Sequence, residues 1–316
     1  MLVAWLAVFI LSLSVLVKFS EYFTDSAEKL GAFLHISPFL VGVTLVSIGT
    51  SLPELTSSIF AVLANSSEIV IGNVIGSNIS NILLVLGVTA IIGKQVKIGY
   101  EFIHVDMPVL IASALLFTIS VIDGQFVLTE ALLCLVAFFV YIDYTIKTQK
   151  RYRDIEIKKE MHGIVKRKLE YKTIIIFIIS IIFIYIGAKY TVQSIIHLSE
   201  ILNIGKEAIA ATAVGLGTSL PELTVSIAAI KRGKREIAIG NILGSNIFNT
   251  FVVMGASALV GTIIIPATII SFGLPMMIIS TFLYFLIAQD KKITSWEGWM
   301  LLIFYIFFIG RMFGLI

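Results

Sequence analysis

The chain has 316 residues, of which 58% are hydrophobic and 14% charged, and its mean hydropathy is +1.01. Globular domains hold roughly 45–50% apolar and 25% charged residues, so composition excludes an ordinary water-soluble domain and predicts a polytopic membrane protein. The 23 Lys and Arg against 20 Asp and Glu leave a net charge of +3, and because the bases gather in particular loops they read as topology signals before they read as a surface for an anionic partner.

A bilayer core takes about 20 predominantly apolar residues per helix. Runs of that kind lie at 2–18, 39–64, 69–93, 105–121, 126–147, 172–198, 207–231, 236–261, 267–288 and 296–314. The first has no basic leader and no A-x-A-like cleavage site, so it reads as a retained span rather than a signal peptide. The second and third carry the first unusual residues, Ile48-Gly49-Thr50-Ser51-Leu52-Pro53-Glu54-Leu55-Thr56-Ser57 and then Gly72-Asn73-Val74-Ile75-Gly76-Ser77-Asn78-Ile79-Ser80-Asn81. The fifth holds Cys134, the sole cysteine, which excludes an internal disulfide.

Segment 147–171 then interrupts the apolar pattern with Lys147, Lys150, Arg151, Arg153, Lys158, Lys159, Lys166, Arg167 and Lys168. By the positive-inside rule it is a cytoplasmic linker. That assignment predicts both termini outside the cell, and the other loops obey the alternation. Lys94, Lys97, Lys231, Arg232, Lys234, Arg235, Lys291 and Lys292 fall on the inner side, and Lys206 is the exception.

Beyond the linker both motifs return without a gap, displaced by 168 positions, as Leu216-Gly217-Thr218-Ser219-Leu220-Pro221-Glu222-Leu223-Thr224-Val225 and Gly240-Asn241-Ile242-Leu243-Gly244-Ser245-Asn246-Ile247-Phe248-Asn249. About half of the positions between 44 and 93 match their counterparts. Five spans per copy force the second copy into the membrane upside down. The expected fold is therefore an all-α polytopic membrane protein of ten transmembrane helices in two inverted five-helix repeats, 1–146 and 172–316, and transporters of that kind place their sites at the midplane where the repeats meet.

Within a helix, Pro53 and Pro221 free the carbonyls of Gly49 and Gly217. Irregular backbone at membrane depth is tolerated only against protein or a watery cavity, so freed carbonyls beside Glu54 and Glu222 read as cation ligands. Thr50 and Glu54 share a helical face, as do Thr218 and Glu222. Asn73, Ser77 and Asn81, and again Asn241, Ser245 and Asn249, form polar stripes at four-residue spacing. Gly72, Gly76, Gly240 and Gly244 let those stripes approach the Pro-bearing helices. An oxygen-rich wall without thiol or imidazole suits hard cations, and an ionised acid at mid-membrane costs roughly 2.5–3.5 kcal/mol even on the lenient scale, which marks both glutamates as functional.

Gly-Thr-Ser-Leu-Pro-Glu followed by Gly-Asn-x-x-Gly-Ser-Asn in each half resembles the two alpha repeats of the sodium/calcium exchanger family, in the compact form of its prokaryotic members. The resemblance implies a Ca²⁺ site made by the carboxylates of Glu54 and Glu222 and the backbone oxygens of Thr50 and Thr218. It implies Na⁺ sites drawing on Ser51, Ser77, Thr50 and the Ser47 carbonyl on one side, and on Ser219, Ser245, Thr218 and the Gly215 carbonyl on the other, with Asn81 and Asn249 around the middle. Some relatives, and the potassium-dependent branch, carry Asp where Asn249 stands. With two carboxylates rather than three, the expectation is exchange of three Na⁺ for one Ca²⁺, electrogenic and independent of K⁺. Two acids sharing one buried site are costly to keep ionised when no cation is bound, so protons are expected to compete with Ca²⁺.

Proton-coupled exchange of Ca²⁺ or another divalent cation is the alternative reading, and a passive cation channel a weaker one, since channels usually repeat around a pore axis. No nucleophile–base pair suggests an enzyme. His35, His104, His162 and His197 fall near loops, and Trp5, Trp296 and Trp299 fit interfacial anchors. The expected partners are Ca²⁺, Na⁺ and the lipid bilayer, with no resident cofactor and no nucleic acid, and the resemblance implies function as a monomer.

Overall fold

The computed structural model describes residues 2–34, 36–63, 65, 67–98, 102–159, 170–201, 219–312 and 314. Helix α1 (Leu2–Leu34) is nearly twice as long as the apolar run that announces it. The reason is chemical: Lys18, Glu21, Asp25 and Glu28 end the apolar scan, yet at spacings of three and four they share a helix face and break nothing. Helix α2 (Pro38–Leu63) starts where Ser37 accepts a hydrogen bond from the Leu40 amide at 3.2 Å, with Pro38 preset for the first turn. It then passes through a π-helical turn (Gly42–Val46) and continues across Pro53 without stopping.

Helix α3 (Glu68–Gly93) contains a π-helical turn at Asn81–Leu86, and α4 (Met107–Val121) is entered through another at Phe102–Asp106. Helix α5 (Leu128–Lys159) runs on into the basic segment, and α6 (Tyr171–Ile201) follows. Helix α7 (Leu220–Lys231) has Pro221 in its first turn. Helix α8 (Arg235–Ala258) carries a π-helical turn at Asn249–Val253, α9 (Ile269–Ala288) opens with one at Ile269–Gly273, and α10 (Ser295–Met312) completes the helices.

Among the described residues, α1, α2, α3, α5, α6, α8 and α9 are long and apolar enough to cross a membrane, and α4 is a shorter apolar helix. The chain is a mostly helical, multi-pass membrane protein. It is not purely α, as the sequence suggests. Strand β1 (Gln95–Lys97) pairs antiparallel with β4 (Lys292–Thr294), and β2 (Gln125–Phe126) with β3 (Ile263–Ile264). Strands this short show no periodicity to read; they tie the α3–α4 connection to the α9–α10 connection, and the α4–α5 connection to the α8–α9 connection.

The duplication is visible in the backbone. The π-helical turns inside α3 and α8 begin at matched residues, Asn81 and Asn249. The turns after α2 and α7 use left-handed residues at matched positions, Asn65 (φ 57°) and Gly233 (φ 76°). Burial separates the roles of the helices. The most apolar window of α8 is 94% buried and that of α1 only 11%, so α8 forms the centre while α1 offers Ile10, Leu11 and Val17 outward as a lipid-facing surface.

Glycines set the contact between α2 and α8. A Cβ at Gly42 would stand 2.5 Å from the Ile237 carbonyl oxygen, and one at Gly244 2.5 Å from that of Val43. The two backbones therefore touch, as the four-residue glycine spacing implies for this pair. The mirror contact would involve Gly72, Gly76 and residues 207–214, most of it outside the described residues.

Candidate functional site

The backbone contact between α2 and α8 brings the duplicated motifs into one buried polar cluster. Glu54, Glu222, Thr50, Ser51, Ser219, Ser77, Ser245, Asn81, Asn249 and Ser47 are all buried, with Glu54 2% exposed and Glu222 fully enclosed. Thr218 and Gly215, expected from the sequence to be ligands, lie outside the described residues.

Matched asparagines brace the two acids. Asn73 Nδ2 donates to the Glu54 carbonyl at 3.4 Å and to Ser58 Oγ at 3.0 Å; Asn241 Nδ2 donates to the Glu222 carbonyl at 3.4 Å and to Ser226 Oγ at 3.0 Å. The sequence places these asparagines on the same stripe as the ligand candidates; their Nδ2 groups are spent on positioning, whereas Asn73 Oδ1 has no hydrogen-bond partner among the described residues. Thr50 Oγ1 donates to Asn241 Oδ1 at 3.1 Å and reaches the Ser47 carbonyl at 3.3 Å, so the first repeat is laced to the second beside the acids. Asn78 completes the join. It donates to Thr250 Oγ1 at 2.9 Å and to the carbonyl of Asn246, its own counterpart in the other repeat, at 3.4 Å. The motif spacing contains this contact, yet only the fold shows that α3 and α8 cross there.

The side-chain oxygens aimed into the cluster are under-used. Glu54 Oε1 and Oε2, Glu222 Oε2, Ser219 Oγ, Ser245 Oγ and both amide atoms of Asn81 and Asn249 have no hydrogen-bond partner among the described residues. Unpaired buried polar groups cost roughly 1–3 kcal/mol each, and so many together are the signature of a site that a ligand completes. The donor set is two carboxylates plus hydroxyl and amide oxygens, and among the described residues no group of three His, Cys, Asp or Glu converges. Such a set can ligate a hard cation of several oxygen ligands.

One acid is reachable. A cavity of about 220 Å³ is lined by Pro53, Glu54, Thr56, Ser57, Phe60, Tyr185, Ala188, Lys189 and Pro221, that is, by α2, α6 and the start of α7. Of the four histidines, the described His197 stacks on Trp5 with ring centroids 4.0 Å apart. It sits near the end of helix α6.

The chain matches known proteins along nearly its whole length. The family described as sodium/calcium exchanger protein matches residues 4–147 and 172–314. The sodium/calcium exchanger MaX1 of Methanosarcina acetivorans is 34% identical, over 97% of each chain. An uncharacterized membrane protein of Methanocaldococcus jannaschii is 32% identical over 99% of each. A solved structure of the sodium-calcium exchanger NCX_Mj, soaked with zero Na⁺ and Ca²⁺, superposes with a TM-score of 0.83 at 29% identity, covering 99% of this chain and 100% of that one. The same exchanger soaked with Na⁺ and Ca²⁺ gives 0.83 at 30% identity.

Proposed function

Because the chain belongs to the sodium/calcium exchanger family, we propose that it is an antiporter that moves Na⁺ against Ca²⁺ across the cell membrane by alternating access at the Glu54–Glu222 cluster. One observation carries this reading. Two buried acids, matched across the duplication, are surrounded by neutral oxygens without partners. In this reading Ca²⁺ is held by Glu54, Glu222 and oxygens of Thr50 and Thr218. Na⁺ ions occupy flanking positions at Ser51, Ser77 and Ser47 on one side and Ser219, Ser245 and Gly215 on the other, with Asn81 and Asn249 at the middle. The helices form ten spans in two inverted repeats, the linker 147–171 is cytoplasmic, and the protein works as a monomer.

Charge explains the exchange. Two ionised carboxylates balance one Ca²⁺ or two Na⁺, and a third Na⁺ leaves one positive charge in excess; binding either ion set neutralises the acids and lets the site change sides, whereas the empty site with both acids charged does not cross readily. Asn at both 81 and 249 removes the third carboxylate, and the cycle takes three Na⁺ per Ca²⁺ with no need of K⁺.

The test is ⁴⁵Ca²⁺ uptake into proteoliposomes loaded with Na⁺, with K⁺ or with only a proton gradient. Uptake that requires internal Na⁺ supports the proposal. Uptake driven by the pH gradient alone moves the protein to proton coupling, and flux that needs no counter-ion makes it a channel.

A further inference from the structure

The two ends of the molecule close differently, and matched positions show how. At one end α1 meets α7, and the hydroxyls of Ser20 and Thr224 lie 2.9 Å apart, in hydrogen-bond contact. The counterparts of these residues at the other end are Ala188 and Thr56, and there the helices part to form the cavity that reaches Glu54. Alanine has no hydroxyl to offer, so this bond cannot be made at the open end.

A second asymmetry surrounds the first. Glu21, Asp25 and Glu28 stand one turn apart along α1, facing the turn that joins α7 to α8. Arg232 pairs with Glu21 at 3.4 Å and with Asp25; Lys234 pairs with Asp25 at 3.0 Å and with Glu28. The side chains are partly shielded, Lys234 retaining 18% exposure and Arg232 31%, so the pairs are screened less than free surface charges. The corresponding positions in the other repeat are Lys189, Gln193 and Ile196, and Ala64 and Ser66. None of the three acids and neither base is repeated.

We propose that Glu21, Asp25, Glu28, Arg232 and Lys234 form an ion-pair latch that holds α1 against the α7–α8 turn, keeps the cytoplasmic gate of the exchanger shut, and biases the resting protein toward the state open at the cavity. The proposal rests on the alternating-access reading above. For the site to face the cytoplasm, α1 must shift relative to α7, and interfaces of this kind switch between discrete packings rather than deforming smoothly. The latch stabilises one packing alone, and a bias of that form appears as a population ratio. These five are positioning residues: they touch no transported ion and act through the equilibrium between the two facings.

The experiment uses two reporter cysteines at matched positions, Ser57→Cys in the cavity wall and Val225→Cys on α7, with Cys134 left in place because it is buried. A membrane-impermeant maleimide is applied to each side of oriented proteoliposomes. Arg232→Gln with Lys234→Gln is expected to slow labelling at position 57 from outside and speed it at position 225 from inside, the product of the two changes being about fivefold, as suits partly exposed ion pairs. Exchanging the charges of one pair, by Glu28→Lys with Lys234→Glu, is expected to restore much of the wild-type pattern, while Lys234→Glu alone does not. Labelling that ignores the loss of both bases overturns the latch, as does a reciprocal pair no better than its single change. Na⁺-driven Ca²⁺ uptake by the wild type in the same vesicles reads the exchange proposal separately. Shifted labelling without uptake keeps the latch and rejects sodium/calcium exchange; uptake with unshifted labelling does the reverse.

Discussion

Ser51 on α2 donates its hydroxyl to Glu222 Oε1 across the repeat boundary at 3.0 Å, while the hydroxyl of its counterpart Ser219 has no hydrogen-bond partner among the described residues and neither carboxylate oxygen of Glu54 has one. The duplicated site is therefore uneven before a cation arrives. One acid is held, and among the described residues the acid lining the cavity has no side-chain partner.

That inequality separates two otherwise equivalent serines. A hydrogen bond is worth roughly 0.5–1.5 kcal/mol to a neutral carboxyl and 1.5–3 to a charged one, so in either state of Glu222 Ser51→Ala is expected to lower thermal stability in cation-free detergent, whereas Ser219→Ala changes it little. Both are expected to raise the Na⁺ concentration for half-maximal exchange more than the Ca²⁺ concentration, because both hydroxyls are proposed Na⁺ ligands in the loaded state. Glu54→Gln and Glu222→Gln keep volume and lose charge, and each is expected to abolish Na⁺-dependent ⁴⁵Ca²⁺ uptake. Uptake surviving in either glutamine variant would move the transport site elsewhere.

The asparagine braces carry a different expectation. Asn73 and Asn241 hold a glutamate carbonyl and a serine hydroxyl at equal distances in both repeats, so their removal disturbs the frame and not the ligand set. Asn241→Ala removes one partner each from Thr50 Oγ1, Ser226 Oγ and the Glu222 carbonyl in the enclosed core and is expected to cost about 1–3 kcal/mol of stability. Asn73, partly exposed, is expected to cost less. In both variants the residual uptake should keep the wild-type ratio of Na⁺ to Ca²⁺ half-saturation; a selective loss of one ion would make the asparagines ligands after all.

Much of this was legible in the sequence because membrane burial leaves polar residues few excuses. Glu54, Glu222 and their Thr, Ser and Asn neighbours stand out against an apolar background, and their repetition points to one shared site, where the structure brings the described members together. What stayed hidden depends on distant segments meeting. The extension of α1 past Lys18 looked like the end of a span because charge, not helix propensity, ended the scan. The strand pairs at Gln95–Lys97 and Lys292–Thr294 are too short to leave a pattern. The Asn78 contact with Asn246 requires knowing that matched helices cross at matched residues.

Close backbone approach at Gly244 gives a packing test. A Cβ there would lie 2.5 Å from the Val43 carbonyl and 2.6 Å from Ser47 Oγ, and overpacking a fitted core costs typically 1–3 kcal/mol. Gly244→Ala is expected to lower the melting temperature and to reduce transport by pushing α8 from the residues around Ser47. Normal stability with normal transport would show that α2 and α8 do not touch as described.

Lys189 lines the cavity that ends at Glu54 and places positive charge on the path of an arriving cation. Charge in a cleft alters the local concentration of mobile ions and their rate of arrival. Lys189→Gln is therefore expected to speed Ca²⁺ uptake at limiting external Ca²⁺, by about two- to fivefold at low ionic strength and hardly at all near 1 M salt, where the screening length is about 3 Å. An effect that persists undiminished in high salt would be steric and not electrostatic.

The charge balance of the site bears on its response to voltage. With Asn at both 81 and 249, the described residues supply two carboxylates to the cluster, Glu54 and Glu222. In the proposed three-for-one cycle two negative charges neutralise a bound Ca²⁺ but leave three Na⁺ with one positive charge in excess, so the sodium-loaded site would carry net charge across the membrane. Each elementary charge moved is worth about 2.3 kcal/mol per 100 mV, which at equilibrium shifts the Ca²⁺ gradient nearly fiftyfold for that voltage. Clamping proteoliposomes with K⁺ and valinomycin at opposite potentials should change Na⁺-driven Ca²⁺ uptake, positive internal potential favouring the exit of Na⁺ and faster uptake. Replacing Asn249 with Asp adds a carboxylate to both loaded states, so it is expected to move the voltage-sensitive step from the Na⁺-loaded to the Ca²⁺-loaded site and to leave the charge per cycle unchanged. Rates indifferent to the clamp in the wild type would set the stoichiometry at two Na⁺ per Ca²⁺ instead.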